Sequence, residues 1–146
     1  MKLSFKKISL PLCALALACA SLGASAATVQ LKENGFRYGH EAIRVDVNPG
    51  SGTNFQAVDA GGVRMTVNSD PTNMFGGVGS ILAWCIELAQ DLSSSNTAYS
   101  ASVASSQSWV GSLTALVNQR YQQVLSAADS IASAAMQLAI WEVVSG

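Results

Sequence analysis

The sequence has little charge of either sign. Only 12% of its 146 residues are charged, with 8 Lys and Arg against 9 Asp and Glu, whereas soluble domains carry about 25%. So few charges exclude a charge-rich disordered chain. They also argue against a nucleic-acid partner, because phosphate recognition needs clustered basic side chains. A chain of this length holds one domain at most.

Histidine is equally scarce, since His40 is the only one. One His excludes a zinc cluster of several His and Cys ligands, and the glycine-rich stretch at 76–79 lacks the lysine of a phosphate loop. The sequence therefore predicts neither a metal nor a cofactor. A thiol hydrolase needs a histidine near its cysteine, so that reading would depend on His40 approaching Cys85.

The first 26 residues have the three-part pattern of an export signal. Three lysines lie within the first seven residues, an apolar run covers 8–22, and small residues end the segment at 24–26. This pattern predicts a signal peptide that is removed after export. The run is short for a membrane anchor, and lipidation at Cys19 is the less favoured alternative.

Removal of the signal leaves a predicted single domain over 27–146. Five basic and all nine acidic residues remain, which gives a net charge of −4. No remaining stretch is apolar for long enough to span a bilayer. We expect an exported protein that is extracellular, cell-surface or periplasmic.

Cysteine is reduced to one by the same cleavage. Cys13 and Cys19 leave with the signal, so Cys85 becomes the only thiol of the domain. Exported domains meet an oxidising compartment in which cysteines usually pair. An unpaired one is buried and inert, forms an intermolecular disulfide, or is reactive, and all three readings stay open here.

Short apolar stretches alternate with turn residues in the front half of the chain. This spacing predicts antiparallel strands in a sandwich or barrel-like sheet. Asn48–Gly52 is a turn cluster, and the serine-rich segment 93–106 reads as a flexible connection. The candidate strands are Thr28–Lys32, Ile43–Val47, Phe55–Val58, Val63–Val67 and the continuous run Ile81–Ile86.

The back half changes to helical spacing. Apolar residues over 113–125 fit one helix face, with Ser112 or Thr114 as its cap. A second helix begins near Asp129 or Ser130, and its apolar, alanine-rich composition predicts that it is buried. The predicted fold is therefore α+β, with an antiparallel sheet followed by two packed helices.

Gln137 lies in the middle of that second helix. A buried carboxamide must find hydrogen-bond partners, because without them its burial destabilises the fold by roughly 1–3 kcal/mol. Hydrogen bonding to backbone is one account of this position.

Two segments resemble the motifs of bacterial thioester domains. Trp84–Leu88 is similar to their aromatic-Cys-aliphatic-acid motif, and Ala135–Glu142 to their Gln-x-Ala-aliphatic-Trp motif. The second motif and an alanine-rich helix are also similar to exported proteins of the PEP-CTERM type. The resemblance implies an internal thioester between Cys85 and Gln137, which acylates an amine on a partner during adhesion.

The residues around this pair have candidate roles of their own. Trp84, Met136 and Trp141 are apolar side chains suited to a dry lining. Glu87 lies two residues from Cys85, so on an extended strand both would face the same side, and Glu87 is a candidate for proton transfer, although a solvated carboxylate is the favoured interpretation. Relatives continue with further strands and a sorting tail, so a short or truncated member is expected.

A protein of this kind reacts once and is not an enzyme. Its captured ligand would bear an amine, as a protein lysine or a polyamine does. The main alternative is a structural, matrix-associated module of the same fold in which Cys85 stays free.

Overall fold

The computed structural model describes residues 27–46, 55–88 and 92–146. The predicted signal, with Cys13 and Cys19, and the turn cluster 48–52 lie outside the described residues. Six strands precede two helices in these segments: β1 (Ala27–Phe36), β2 (Glu41–Asp46), β3 (Phe55–Ala60), β4 (Val63–Ser69), β5 (Gly79–Ala83), β6 (Thr97–Ala101), α1 (Val110–Ala127) and α2 (Ser130–Ser145).

Four of the strands form an antiparallel sheet in the order β5-β4-β1-β6. Alternate residues of β1 and β4 are buried, as period-two alternation requires of a sheet with one covered face. Val29 pairs with Tyr99 and Leu31 pairs with Val67 across neighbouring strands. These side chains form the core of the sheet.

The strand β1 contains a bulge near its end. Glu33 pairs with Met65 and Phe36 pairs with Val63 on β4, so two residues of β1 oppose the single residue Arg64. One of the two is Gly35, at φ +76°, a conformation that glycine adopts without a steric penalty. A bulge takes residues out of the regular ladder of hydrogen bonds.

β2 and β3 form a separate two-stranded antiparallel sheet. Helix α2 packs against both of these strands and against α1. The α+β prediction is confirmed, with sheets preceding two packed helices. The described strands form open sheets and no closed barrel.

The strand containing Ile81 ends earlier than the sequence indicates. The apolar run to Ile86 was expected to be one strand, but β5 stops at Ala83 and the residues from Trp84 to Leu88 form an irregular segment. Cys85 and Glu87 therefore do not face the same side of an extended strand. Side chains of the segment pack on the helices, which draws it away from the sheet.

The serine-rich segment is partly ordered as β6. Thr97–Ala101 pairs with β1 over five residues, so the expectation of a flexible connection is wrong there. Tyr99 is 3% exposed in the sheet core. Burial of this one aromatic ring, together with pairing to β1, outweighs the low strand propensity of its neighbours.

The helix starts are set in different ways. Asp129 caps α2 because its carboxylate accepts from the Ala132 amide at 2.7 Å, which confirms the predicted start. α1 begins at Val110 without a side-chain cap, so the predicted caps Ser112 and Thr114 are wrong and lie inside the helix.

The second helix is only partly buried. Met136 and Ile140 pack with α1 residues in a helical core. Ile131 and Leu138, however, are 71% and 42% exposed, so the prediction of a buried helix is correct for one side of α2 only. Among the described residues, neither helix is both long and apolar enough to cross a membrane.

Candidate functional site

The Gln137 carboxamide is hydrogen-bonded to the main chain of Cys85. The Cys85 amide donates to Gln137 Oε1 at 3.2 Å, and Gln137 Nε2 donates to the Cys85 carbonyl at 2.6 Å. Gln137 is 2% exposed, and these two bonds satisfy its amide in the way that burial demands. The fold thus brings together the glutamine and the cysteine, 52 positions apart in the chain.

Ser133 fixes the face of α2 that carries Gln137. Residues four apart lie on one helix face, and Ser133 is fully buried one turn before the glutamine. Its hydroxyl accepts from the Gly62 amide at 2.7 Å. Its carbonyl accepts from Trp84 Nε1 at 3.3 Å. The residue before Cys85 and the start of β4 are therefore both held against α2.

Gly62 makes a close backbone approach that this arrangement needs. A Cβ at this position would lie 3.0 Å from the Trp84 ring and 2.8 Å from Leu82 Cδ1. Any side chain would push the indole away. Since Trp84 directly precedes Cys85, the glycine helps to set where the cysteine lies.

A cleft of about 490 Å³ opens beside Cys85 and Gln137. Glu87 and Trp141 also line it, so four of the residues singled out from the sequence border one space. Trp84 and Met136 instead belong to the helical core, where Trp84 meets Tyr121 edge to face at 6.0 Å. The remaining lining residues are Glu33, Phe36, Gln56, Ala57, Val58, Asp59, Gly61, Val63, Leu88 and Leu92.

The charge of the cleft is negative. Glu33, Asp59 and Glu87 line it, and its lining includes neither Lys nor Arg. Burial raises the pKa of the Cys85 thiol, and the nearby Glu87 carboxylate raises it further. A raised pKa keeps the sulfur protonated near neutral pH, which is unlike the activated cysteine of a thiol hydrolase.

Trp141 has a buried indole N–H without a hydrogen-bond partner. Among the described residues it is the buried side-chain donor left unsatisfied. Its ring borders the cleft next to the buried Gln137, so an unpaired donor lies within the wall of the cleft.

His40 is engaged outside the cleft lining. Its Nε2 lies 3.5 Å from Asp59 Oδ1, and its ring stacks near Phe36 at 4.7 Å between centroids. The pKa of the Cys85 thiol is shifted by burial and by Glu87 and not, among the described residues, by His40. The same segments contain no group of three His, Cys, Asp or Glu side chains suited to a metal ion.

Sequence reasoning missed three contributors to this site. Glu33 and Asp59 reach the cleft from β1 and β3, and Ser133 ties α2 to the sheet. The signal for Ser133 was its position one helical turn before Gln137. The carboxylates gave no signal, because their proximity depends on how the two sheets are placed.

Compared with protein-family models, curated proteins and solved structures, the chain has no match. The chemistry of the cleft has to follow from the residues that line it.

Proposed function

We propose that Cys85 and Gln137 form an internal thioester and that the protein uses it for covalent attachment to an amine. The Cys85 sulfur attacks Gln137 Cδ, the Sγ–Cδ bond forms, and the Cδ–Nε2 bond breaks. The thiol proton leaves with the nitrogen as ammonia. No oxidant or cofactor is needed, because the reaction exchanges one acyl bond for another.

The observation that carries this proposal is the pair of hydrogen bonds between the two residues. The Cys85 amide points at Gln137 Oε1, the oxygen on which negative charge develops during attack. Donors aimed at such an oxygen stabilise the tetrahedral intermediate. The bond from Nε2 to the Cys85 carbonyl holds the carboxamide beside the residue that carries the sulfur, as a near-attack geometry requires.

The raised pKa of Cys85 has two consequences for a thioester. The thiol ionises little near neutral pH, so bond formation is slow and speeds up as the pH rises. A thiol of high pKa is also a poor leaving group. The finished bond would therefore resist water and await a stronger nucleophile such as an amine.

The cleft fits an amine as the captured group. Its volume of about 490 Å³ lies in the range of small-ligand sites. The cleft favours cationic ligands because its carboxylates belong to Glu33, Asp59 and Glu87. Protein lysines and polyamines are cationic when they bind, and an amine that loses its proton there becomes a nucleophile. Together with the export signal expected from the sequence and the resemblance to thioester domains, this supports adhesion at the cell surface or in the extracellular space.

A second candidate function is a structural, matrix-associated module with a free thiol. Gln137 is buried with both of its amide atoms hydrogen-bonded. Such a glutamine also serves as a tie between α2 and the segment after β5. In that case Cys85 stays a thiol and captures nothing.

The intact mass of the purified protein separates the two functions. A thioester makes the chain lighter by one ammonia than the mass calculated from the sequence that starts at its measured N-terminal residue. Cys85 then does not react with a thiol reagent in denaturant. Added methylamine should bind covalently at Gln137 and free one thiol. A chain of full mass with a reactive thiol would establish the structural alternative instead.

Variants identify the glutamine involved. Gln137→Glu should give full mass and a labelled thiol. Gln123→Ala is the matched control on α1, where Gln123 is exposed and bonded to Arg120 at 2.9 Å, and should keep the ammonia deficit. Restoration of the thiol by Gln123→Ala would show that the wrong glutamine was chosen.

A further inference from the structure

We propose that Asn34 is a self-modification site, at which the chain forms a succinimide with the Gly35 nitrogen and then opens to aspartate or isoaspartate. Asn34 and Gly35 are the two residues of β1 in the bulge opposite Arg64. This pair is the only Asn-Gly sequence in the chain. The proposal concerns other residues than the thioester and does not depend on it.

The bulge frees the attacking nitrogen from strand pairing. In a regular ladder the Gly35 amide would bond a neighbouring strand, and its hydrogen would be held there. Here the Gly35 amide donates instead to the carboxylate of Glu33. Because glycine has no Cβ, nothing on Gly35 hinders approach of its nitrogen to the Asn34 carboxamide.

Glu33 is placed as the base of the reaction. A carboxylate hydrogen-bonded to the proton that must be removed meets the geometric requirement for general base catalysis. The Gly35 nitrogen loses this proton to Glu33 and bonds to Asn34 Cγ. The Cγ–Nδ2 bond then breaks, the nitrogen leaves as ammonia with the proton returned from Glu33, and water later opens the imide at either carbonyl.

Two further side chains assist at the remaining positions. Arg64 Nη2 donates to the Asn34 carbonyl at 3.2 Å, and this cation stabilises negative charge on the peptide group that includes the Gly35 nitrogen. Asn34 Nδ2 donates to Thr66 Oγ1 at 2.7 Å, so a hydroxyl lies beside the departing nitrogen. The half-buried bulge thus supplies a nucleophile, a base, a cation and a hydroxyl around one carboxamide.

The reaction has a consequence for the cleft. Glu33 lines the cleft, and opening of the imide places a new carboxylate on the next residue. The acidic character of that side of the cleft would increase as the protein ages. Succinimide formation also removes one ammonia, as thioester formation does, so a mass deficit has to be located within the chain.

The test compares the folded protein with the same chain unfolded in urea, at one mildly alkaline pH. Peptide mapping by tandem mass spectrometry follows residue 34, and labelling of Cys85 is scored separately. The proposal expects faster conversion of Asn34 in the folded protein than in urea. Slower conversion in the folded protein would overturn it, because the fold would then protect the site.

A matched variant tests the role of Glu33. Glu33→Gln keeps an oxygen that accepts from the Gly35 amide but removes the basic carboxylate, so the folded-state rate should fall about tenfold or more. An unchanged rate would overturn the assignment of Glu33 as base. Asn68, which precedes Ser69 on β4, is the internal control, and equal conversion there would overturn the claim of a built site.

The same test keeps the two reactions separate. Cys85→Ala abolishes the thioester and should leave the conversion of Asn34 unchanged. Failure of the thioester proposal would appear as a free thiol at Cys85 whatever happens at Asn34. Failure of the present proposal would appear only at residue 34.

Discussion

Replacement of Gln137 tests the contact on which the site depends. The parent for this comparison is Cys85→Ala, which cannot form a thioester and keeps the main chain at position 85. Gln137→Met added to it removes both hydrogen bonds while nearly conserving side-chain volume. The part-buried amide and carbonyl at position 85 then lose their partners, at up to about 1–3 kcal/mol each. We expect a loss of at most about 2–6 kcal/mol in the free energy of unfolding.

Gln137→Glu in the same parent gives a pH-dependent result. A protonated carboxyl still accepts from the position-85 amide and donates to its carbonyl, so little stability is lost at acid pH. An ionised carboxyl would face that carbonyl in a site only 2% exposed. Burial therefore raises the pKa of the introduced group above its unfolded value of about 4.3. The contribution of the protonated carboxyl to the free energy of unfolding is complete below that value. It is lost as the pH rises through the raised pKa, by about 1.4 kcal/mol per pH unit.

Urea unfolding monitored by tryptophan fluorescence at about pH 4 and about pH 8 measures both effects. The Met variant should be destabilised equally at the two pH values, and the Glu variant mainly at the higher one. If both variants match the parent at both pH values, Gln137 is not bonded to the position-85 main chain. Cys85 and Gln137 would then not form the proposed site.

Three further outcomes are expected. Ser133→Ala leaves a buried backbone amide without its acceptor and should lower the free energy of unfolding by about 1–3 kcal/mol, read from urea unfolding. Burial opposes ionisation of Asp70, but three backbone hydrogen bonds outweigh it and lower its pKa. The ionised Asp70 carboxylate stabilises the fold above its ordinary pKa, and this stabilisation is lost as the pH falls through the lowered pKa. When the free energy of unfolding is measured at decreasing pH, Asp70→Asn should lack this loss. Glu87→Gln should lower the pKa of Cys85 and speed its alkylation at fixed pH, measured in the Gln137→Glu background; an unchanged rate would contradict the coupling.

The sequence predicts the regular elements well where one residue pattern decides them. Alternation gives β1 and β4, and Asp129 gives the start of α2. It fails at β6, because only Thr97 and Tyr99 among its five residues favour a strand, and pairing with β1 decides the outcome. It also places Cys85 on a strand, because periodicity alone does not show that side chains after Ala83 pack on the helices.

For the candidate site, motif and composition indicate Cys85 and Gln137 but not their surroundings. The contact between them crosses 52 positions and depends on α2 meeting the segment after β5. Glu33 and Asp59 come from different sheets, and local patterns carry no information about such long-range placement. Ser133 lies one helical turn before Gln137, but the partner of its hydroxyl, the Gly62 amide, is 71 positions away and cannot be found from a local pattern.

The separation of 52 positions between Cys85 and Gln137 has a mechanical consequence. A covalent bond across that interval would restrict the unfolded chain in the manner of a disulfide, by about 4 kcal/mol of lost loop entropy. Acyl transfer to an amine would open this ring and return the entropy. Anchoring the protein to its ligand would therefore make the anchored domain easier to unfold under load.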